Sequence, residues 1–253
     1  ALRLLSPVAV LLVLALAGAG AYWNQFDNAF QFDDFHSIVQ NPSIRSFAAW
    51  RSWFTDLTAF SVLPENLNYR PLLLLSYAIS YRMAKLEVWG FHLINWLIHV
   101  GVAFLVYAIA LRLFARPGVH PVRLRPGAGW PWPPSAAGMA AVAGLVFLVH
   151  PANSEPVNYI SSRSESLATL FVLFSFLAYL GEGGALAAGR PRRAGLLALA
   201  CAAAFTAGLL TKEIAITLPA LVVLHDLVLG RAEGAGRRLA PARLLTYALL
   251  AVI

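Results

Sequence analysis

The chain has 253 residues, of which 59% are hydrophobic and only 12% charged, and its mean hydropathy is +0.68. An average soluble domain carries about twice that fraction of charge, and so apolar a chain has too little polar surface to coat a soluble globule. An ordinary cytosolic enzyme, a disordered chain and a collagen-like repeat are excluded, and the composition points to an all-α polytopic membrane protein. The net charge of +7 would suggest nucleic acid in a soluble protein. In a membrane protein its distribution matters more than its sum, and no nucleic-acid partner is expected. The single cysteine, Cys201, lies in an Ala-rich apolar run, so no intrachain disulfide and no cysteine metal cluster can form, and it reads as a small packing residue.

Residues 4–23 are the first run long enough to cross a bilayer, which takes about 20 apolar residues. A signal peptide has a similar outline. No small-residue cleavage site leads into a soluble domain, however, and more apolar runs follow, so an uncleaved first helix is expected. A first outer loop then occupies 24–90. Within it, PLLLLSYAISY (71–81) is too short to cross. Pro71 suits a helix N-terminus, and Arg70, Arg82 and Lys85 bracket the run, which predicts an interfacial helix lying along the membrane. Further spans are expected at 91–114, 137–150, 164–181, 195–211, 214–230 and from 244 onward, about seven in all. The run 137–150 is short and rich in Gly and Ala, which suits close helix packing. The Pro-rich stretch 117–134 reads as a linker, and no internal repeat is visible. The chain starts at Ala1 and stops inside the apolar run TYALLAVI. We read 1–253 as the N-terminal part of a larger membrane domain, cut through its last visible span.

This arrangement sorts the charges. One side of the membrane receives Arg3, Arg112, Arg116, Arg123, Arg125, Arg190, Arg192, Arg193, Arg231, Arg237, Arg238 and Arg243 against Glu182, Asp226 and Glu233, a net of +9. The other receives Arg45, Arg51, Arg70, Arg82, Lys85, Arg163 and Lys212 against nine acids, a net of −2. By the positive-inside rule the first side, with the N-terminus, is cytoplasmic. The bias toward Ala, Arg and Gly suits a GC-rich bacterium, so the bacterial inner membrane is the expected location.

Three polar segments then face outward: FDDFHSIVQNPSIRS in the first loop, HPANSEPVNYISSR at 150–163, and the short connection TKE at 211–213. Asp33 and Asp34 are adjacent acids flanked by Phe32 and Phe35. They read as a solvated loop pair or as a pair held at the membrane surface, where partial desolvation makes a carboxylate a better base. The residues alone leave both readings open. Neighbouring side chains in extended backbone point opposite ways, so one acid can face a cleft while the other holds structure. Snorkelling accounts for Arg82 and Lys85. It accounts less well for Lys212 and Glu213, set between two tightly connected spans where ionisable groups usually pair or serve a site. Cations at such an edge suit a lipid-linked phosphate. His92, Asn95 and His99 share one face of a helix. Two histidines seven apart do not have the HExxH spacing, and a hydrogen-bonding face against a neighbouring helix or the loop is preferred over a metal site.

The segments FDDFHSIVQNPSIRS, NYRPLLLLSYAISYRMAKLEVWGFHLINWLIHV, GLVFLVHPANSEPVNYISSRSESLATLF and LLTKEIAITLPALVVLHDLV follow one another over about residues 20–230. In this order they resemble the membrane part of the transmembrane-and-TPR protein O-mannosyltransferases and their bacterial relatives, within the GT-C glycosyltransferases. The resemblance implies a GT-C-type helical bundle, a polyprenyl-phosphate sugar donor and a carboxylate base in the first outer loop. Asp33 matches that base, with Asp34 in the second acidic position. Arg163 and Lys212 match basic positions expected to face the donor phosphate, with Arg70 a third candidate. Glu155, Glu165, Glu213, His92, Asn95 and His150 would orient these groups or line the cleft. It further implies inverting transfer of mannose or a similar hexose to an acceptor hydroxyl on a protein or a glycan, with membrane lipids as the surroundings. No cofactor is expected; a divalent metal would supply the same positive charge, but the acids form no dedicated cage. The family's C-terminal TPR repeats do not occur in the chain. A transporter or a non-catalytic glycolipid-binding protein is the rival reading, although transporters place their polar residues at mid-membrane, often in repeated halves.

Overall fold

A computed structural model describes residues 6–116, 135–229 and 243–253, and among these all regular structure is helical. The expected linker 117–134 lies outside the described residues. So do the cations Arg3, Arg123, Arg125, Arg231, Arg237 and Arg238, and Glu233. The helices are α1 (Pro7–Tyr22), α2 (Trp50–Thr55), α3 (Pro71–Ala84), α4 (Val88–Phe114), α5 (Ala136–Val149), α6 (Ser154–Asn158), α7 (Arg163–Ala187), α8 (Pro191–Leu209), α9 (Leu218–Val228) and α10 (Leu244–Val252).

Local chemistry sets several of these boundaries. Ser6 caps α1, its Oγ accepting from the Ala9 amide at 3.2 Å, and Pro7 follows at the first helical position. α3 and α8 also begin at a proline, whose missing N–H would be unpaired in a first turn anyway. α4 has 27 residues, about 40 Å at 1.5 Å per residue, enough to cross a bilayer with turns to spare.

Among the described residues four helices are long and apolar enough to cross a membrane: α1 with its continuation to Asp27, α4, α7 and α8. α5 joins the segment Pro151–Asn158 through a bend of 55° and makes a fifth if the pair is one broken span. The other two expected spans are shorter. The run 214–230 divides, because Glu213–Thr217 forms a 3-10 turn and Pro219 sits in the first turn of α9, leaving a helix of 11 residues. α10 has nine. The expected interfacial segment 71–81 is helix α3, which packs on α4 rather than crossing.

α4 is the centre of the bundle, in contact with α1, α3, α5 and α7, while α7 lies along α8. A Cβ added at Gly144 would lie 3.1 Å from the Ala103 carbonyl, so the glycine lets α5 approach the α4 backbone more closely than a larger residue would without a shift. One apolar core joins α1, α4 and α5 through Val10, Leu14, Val100, Ala103, Ala140 and Leu148. A second joins α7, α8 and α9 through Phe176, Tyr179, Cys201, Phe205 and Val222, with Cys201 wholly buried as a packing residue. A third lies mainly between the first loop and α3. Ile38, Ile44, Trp53 and Phe60 of the first loop pack on Leu73, Leu74 and Tyr77 of α3 and on Phe91 and Ile160. The first loop is thus a folded cap seated on α3.

Candidate functional site

The cap is built around the run SIVQNPSIR (37–45). Asn41 Nδ2 donates toward the carbonyls of Ser37, Ala59 and Phe60 at 3.1, 3.0 and 3.0 Å, and Asn41 Oδ1 accepts from the Ser43 amide. Arg45 donates to the Val39 and Asn41 carbonyls and lies over the Tyr81 ring of α3 at 4.8 Å. Trp53 Nε1 donates to the Ser43 carbonyl at 3.1 Å. Buried backbone polar groups in a non-helical loop need such partners, and these residues supply them. At the head of this frame, Phe35–Val39 form a single π turn, a feature often found at functional sites.

The two acids have different surroundings. Asp34 is buried. Its Oδ2 accepts from the Gln31 amide at 2.9 Å, and its Oδ1 accepts from the Ser161 amide at 2.9 Å and the Ser161 hydroxyl at 2.5 Å. Burial holds its carboxyl above the usual carboxylate range, while the bonds from Ser161 and Gln31 and the charge of Arg163 offset part of that rise. Asp33 is the exposed one, its side chain 66% accessible. Its Oδ1 lies 3.4 Å from His36 Nε2, and its backbone amide donates to the Tyr159 hydroxyl at 3.0 Å. The divergence arises in a helical turn, with Asp34 at φ −59° and ψ −30°, and not in extended backbone. Just before it, Phe32 has φ +42°, a left-handed conformation rare for an aromatic residue, and the residue is 80% exposed.

Arg163 is wholly enclosed at the start of α7. Nε donates to Asn95 Oδ1 at 2.6 Å, Nη1 to the Ser76 carbonyl and Ser80 Oγ at 3.0 Å each, and Nη2 to the Phe91 carbonyl at 2.8 Å. The guanidinium lies 5.0 Å from the Tyr77 ring. It therefore clamps α3, α4 and α7 together, and its donors point into protein rather than toward a cleft.

The other two cations are at the edge. Lys212 Nζ is 2.9 Å from Glu165 Oε1, and Arg70 Nη2 is 3.6 Å from Glu213 Oε1. The Leu72 amide donates to the Leu210 carbonyl at 3.1 Å, tying the start of α3 to the end of α8. Glu155 is exposed and accepts from Ser162 Oγ at 3.3 Å. His150 is exposed, and its Nδ1 accepts from the Ala152 amide to cap the turn Pro151–Asn153.

The face of α4 is a bonding face. His92 Nε2 pairs with the Asn28 carbonyl at 3.0 Å, Asn95 bonds Arg163 and the Tyr159 carbonyl, and His99 Nε2 pairs with the Leu148 carbonyl at 2.9 Å. Among the described residues no three His, Cys, Asp or Glu side chains converge as a metal site would need.

The three polar segments thus meet at one end of the bundle: 28–36 with 158–161, 70–72 with 210–213, and 212 with 165. Sequence reasoning does not single out His36, Ser61, Asn66, Tyr159 or Ser161. For His36 a signal existed, since it follows Asp33 at i+3 and shares its helical face. For Ser61 and Asn66 there was none, because only the folded cap brings residues about 25 to 30 positions away onto that ring.

The chain is 30% identical over 230 residues to a Drosophila melanogaster protein named Protein O-mannosyl-transferase Tmtc3, a match covering 85% of this chain and 24% of the fly protein. It is 31% identical over 176 residues to Protein O-mannosyl-transferase tmtc2 of Xenopus laevis, covering 68% of this chain and 18% of that protein. Against Protein O-mannosyl-transferase TMTC4 of Homo sapiens it is 30% identical over 179 residues, 69% of this chain and 23% of the human protein. The chain spans about a quarter or less of the length of these curated relatives. No family model and no solved structure matches it.

Proposed function

Because this chain belongs to the transmembrane-and-TPR protein O-mannosyltransferase family, we propose that it carries the donor and base site of a membrane glycosyltransferase of GT-C type. The reaction is transfer of mannose or a similar hexose from a polyprenyl-phosphate donor to a hydroxyl, on protein Ser or Thr, at the non-cytoplasmic face of the membrane. The observation that carries this reading is the exposed carboxylate of Asp33, presented on a braced turn at the same end of the bundle as two edge cations, Arg70 and Lys212.

Inverting transfer needs a base on the acceptor side and positive charge on the leaving-group side. Asp33 takes the proton of the acceptor hydroxyl. The hydroxyl oxygen forms a bond to the anomeric carbon as the bond from that carbon to the phosphate oxygen breaks, and the electron pair leaves with the polyprenyl phosphate. Arg70 and Lys212 receive that phosphate, each now held by a carboxylate (Glu213 and Glu165) that an incoming anion would displace. Arg163 is left out of the phosphate set because its guanidinium is spent inside the protein. Asp34 holds the turn. The exposed Phe32 and Phe35 rings beside the acids suit contact with the polyprenyl chain or the membrane surface.

The test is Asp33→Asn in the full-length protein, assayed with labelled polyprenyl-phosphate mannose and a Ser/Thr peptide. Transfer is expected to be abolished with donor binding retained. Normal activity in this variant, and also in Asp34→Asn, would remove the base from this loop.

A further inference from the structure

Behind Asp33 the cap has assembled a hydrogen-bonded imidazole for which the reaction described above has no use. His36 is buried, one turn from Asp33 on the same face. Its Nδ1 lies 2.9 Å from Ser61 Oγ, and its Nε2 lies 3.2 Å from Asn66 Nδ2 and 3.4 Å from Asp33 Oδ1. The partners assign its tautomer. Asn66 Oδ1 accepts from Asn68 Nδ2 at 2.6 Å, so the Asn66 amide turns its N–H toward His36 and Nε2 is the accepting nitrogen. Nδ1 then carries the proton and donates to Ser61 Oγ. The one lone pair of Nε2 thus accepts from Asn66 within reach of the Asp33 carboxyl, while Ser61 holds the ring from its far side at Nδ1.

We propose that His36 is the proton store of Asp33. The inference rests on Asp33 being the base. When Asp33 has taken the acceptor proton, its new O–H displaces the Asn66 N–H from the single lone pair of His36 Nε2 and donates to it. The proton crosses, leaving a carboxylate and an imidazolium whose Nδ1–H remains on Ser61. The Asp33 carboxylate is regenerated at once, the imidazolium beside it stabilises it, and the proton later leaves to water. No oxidant or co-reactant is needed, and the proton is conserved at each step. The groups facing the ring support this. Asp33 is the charged one on its own turn, the 61–66 segment contributes uncharged Ser61 and Asn66 with Glu65 exposed, and from the 158–161 segment Tyr159 touches the Asp33 amide rather than the ring. His36 acts through Asp33 and is a positioning and proton-holding residue.

The experiment is the pH profile of kcat for transfer from polyprenyl-phosphate mannose, in the full-length protein, for the wild type, His36→Gln and Asp33→Asn. His36→Gln retains hydrogen-bonding groups but cannot take the proton. It is expected to lose roughly 10-fold or more in kcat, with the donor KM unchanged and with a kcat profile that differs in shape from the wild type's. A His36→Gln profile that keeps the wild-type shape, whether or not kcat is lowered throughout, overturns the proposal, because a merely structural loss scales kcat alike at every pH. If Asp33→Asn is inactive while His36→Gln matches the wild type, only the proton store falls. If Asp33→Asn is active, the base assignment falls with it.

Discussion

Asp34 shows what a single residue does here. Its two oxygens accept three hydrogen bonds, one from Gln31 within the first loop and two from Ser161, more than 120 positions away. Its raised pKa has a stability consequence of definite sign. The folded protein holds the proton more tightly than the unfolded chain, so folding stability is expected to decline as pH rises from the ordinary value of 3.8 through the raised folded value, and to level off above it. Asp34→Asn removes the titration. Unfolding midpoints of wild type and variant across this window should therefore converge as pH rises from the acid end, and then run parallel. A constant offset at every pH would show that Asp34 is not held in this way. Which of two neighbouring acids faces solvent is not legible in FDDF, since both have the same side chain. The distinction is made by Ser161, which reaches one of them.

At the scale of elements, α3, α4 and α7 are held at one end by Arg163. Reading the sequence placed this arginine at a span boundary and matched it to a phosphate-facing position, which puts a cation near the right surface but does not reveal its depth. Ser76, Ser80, Asn95 and the Phe91 carbonyl decide that, and they come from two other helices. A buried cation stripped of its partners, or partners stripped of their cation, is costly. Arg163→Gln is expected to cost about 3 kcal/mol or more, seen as a large drop in thermal stability. Lys212→Gln, at a pair whose acid is about half exposed, is expected to cost about 0–1 kcal/mol. If Lys212 receives the donor phosphate, the second variant raises the donor KM while its melting temperature stays put. Equal thermal losses in the two variants would contradict this division between a structural and a binding cation.

For the whole molecule, the helices alternate so that the cap, the 150–163 segment and the 210–217 turn collect at one end. Arg112, Arg116, Arg190, Arg192, Arg193 and Arg243 collect toward the other. At that second end Asp226 accepts from Tyr179, Tyr247 and Arg243, and Thr246 donates to Glu182, joining α7, α9 and α10. The charge asymmetry predicts that the Asp33 end lies outside the cytoplasm. Single cysteines at the exposed positions Glu65 and Arg192, in a Cys201→Ser background, test this in intact cells with an impermeant maleimide. Labelling at position 65 and protection at 192 are expected; the reverse pattern would invert the topology.

The sequence by itself determined the membrane class, the positions of the long helices, the helix that begins at Pro71 and the segments that carry polar chemistry. Each of these follows from runs of apolar residues, prolines and charges that act locally. Tertiary structure alone decided that Asp33 is exposed and Asp34 buried, that Arg163 is a clamp, and that Ser61 and Asn66 fix the His36 ring. It also decided that the run 214–230 is a turn followed by a short helix. These outcomes depend on which donors and acceptors distant segments bring together. A buried polar group is settled by the partner it finds, and that partner is not encoded at its own position.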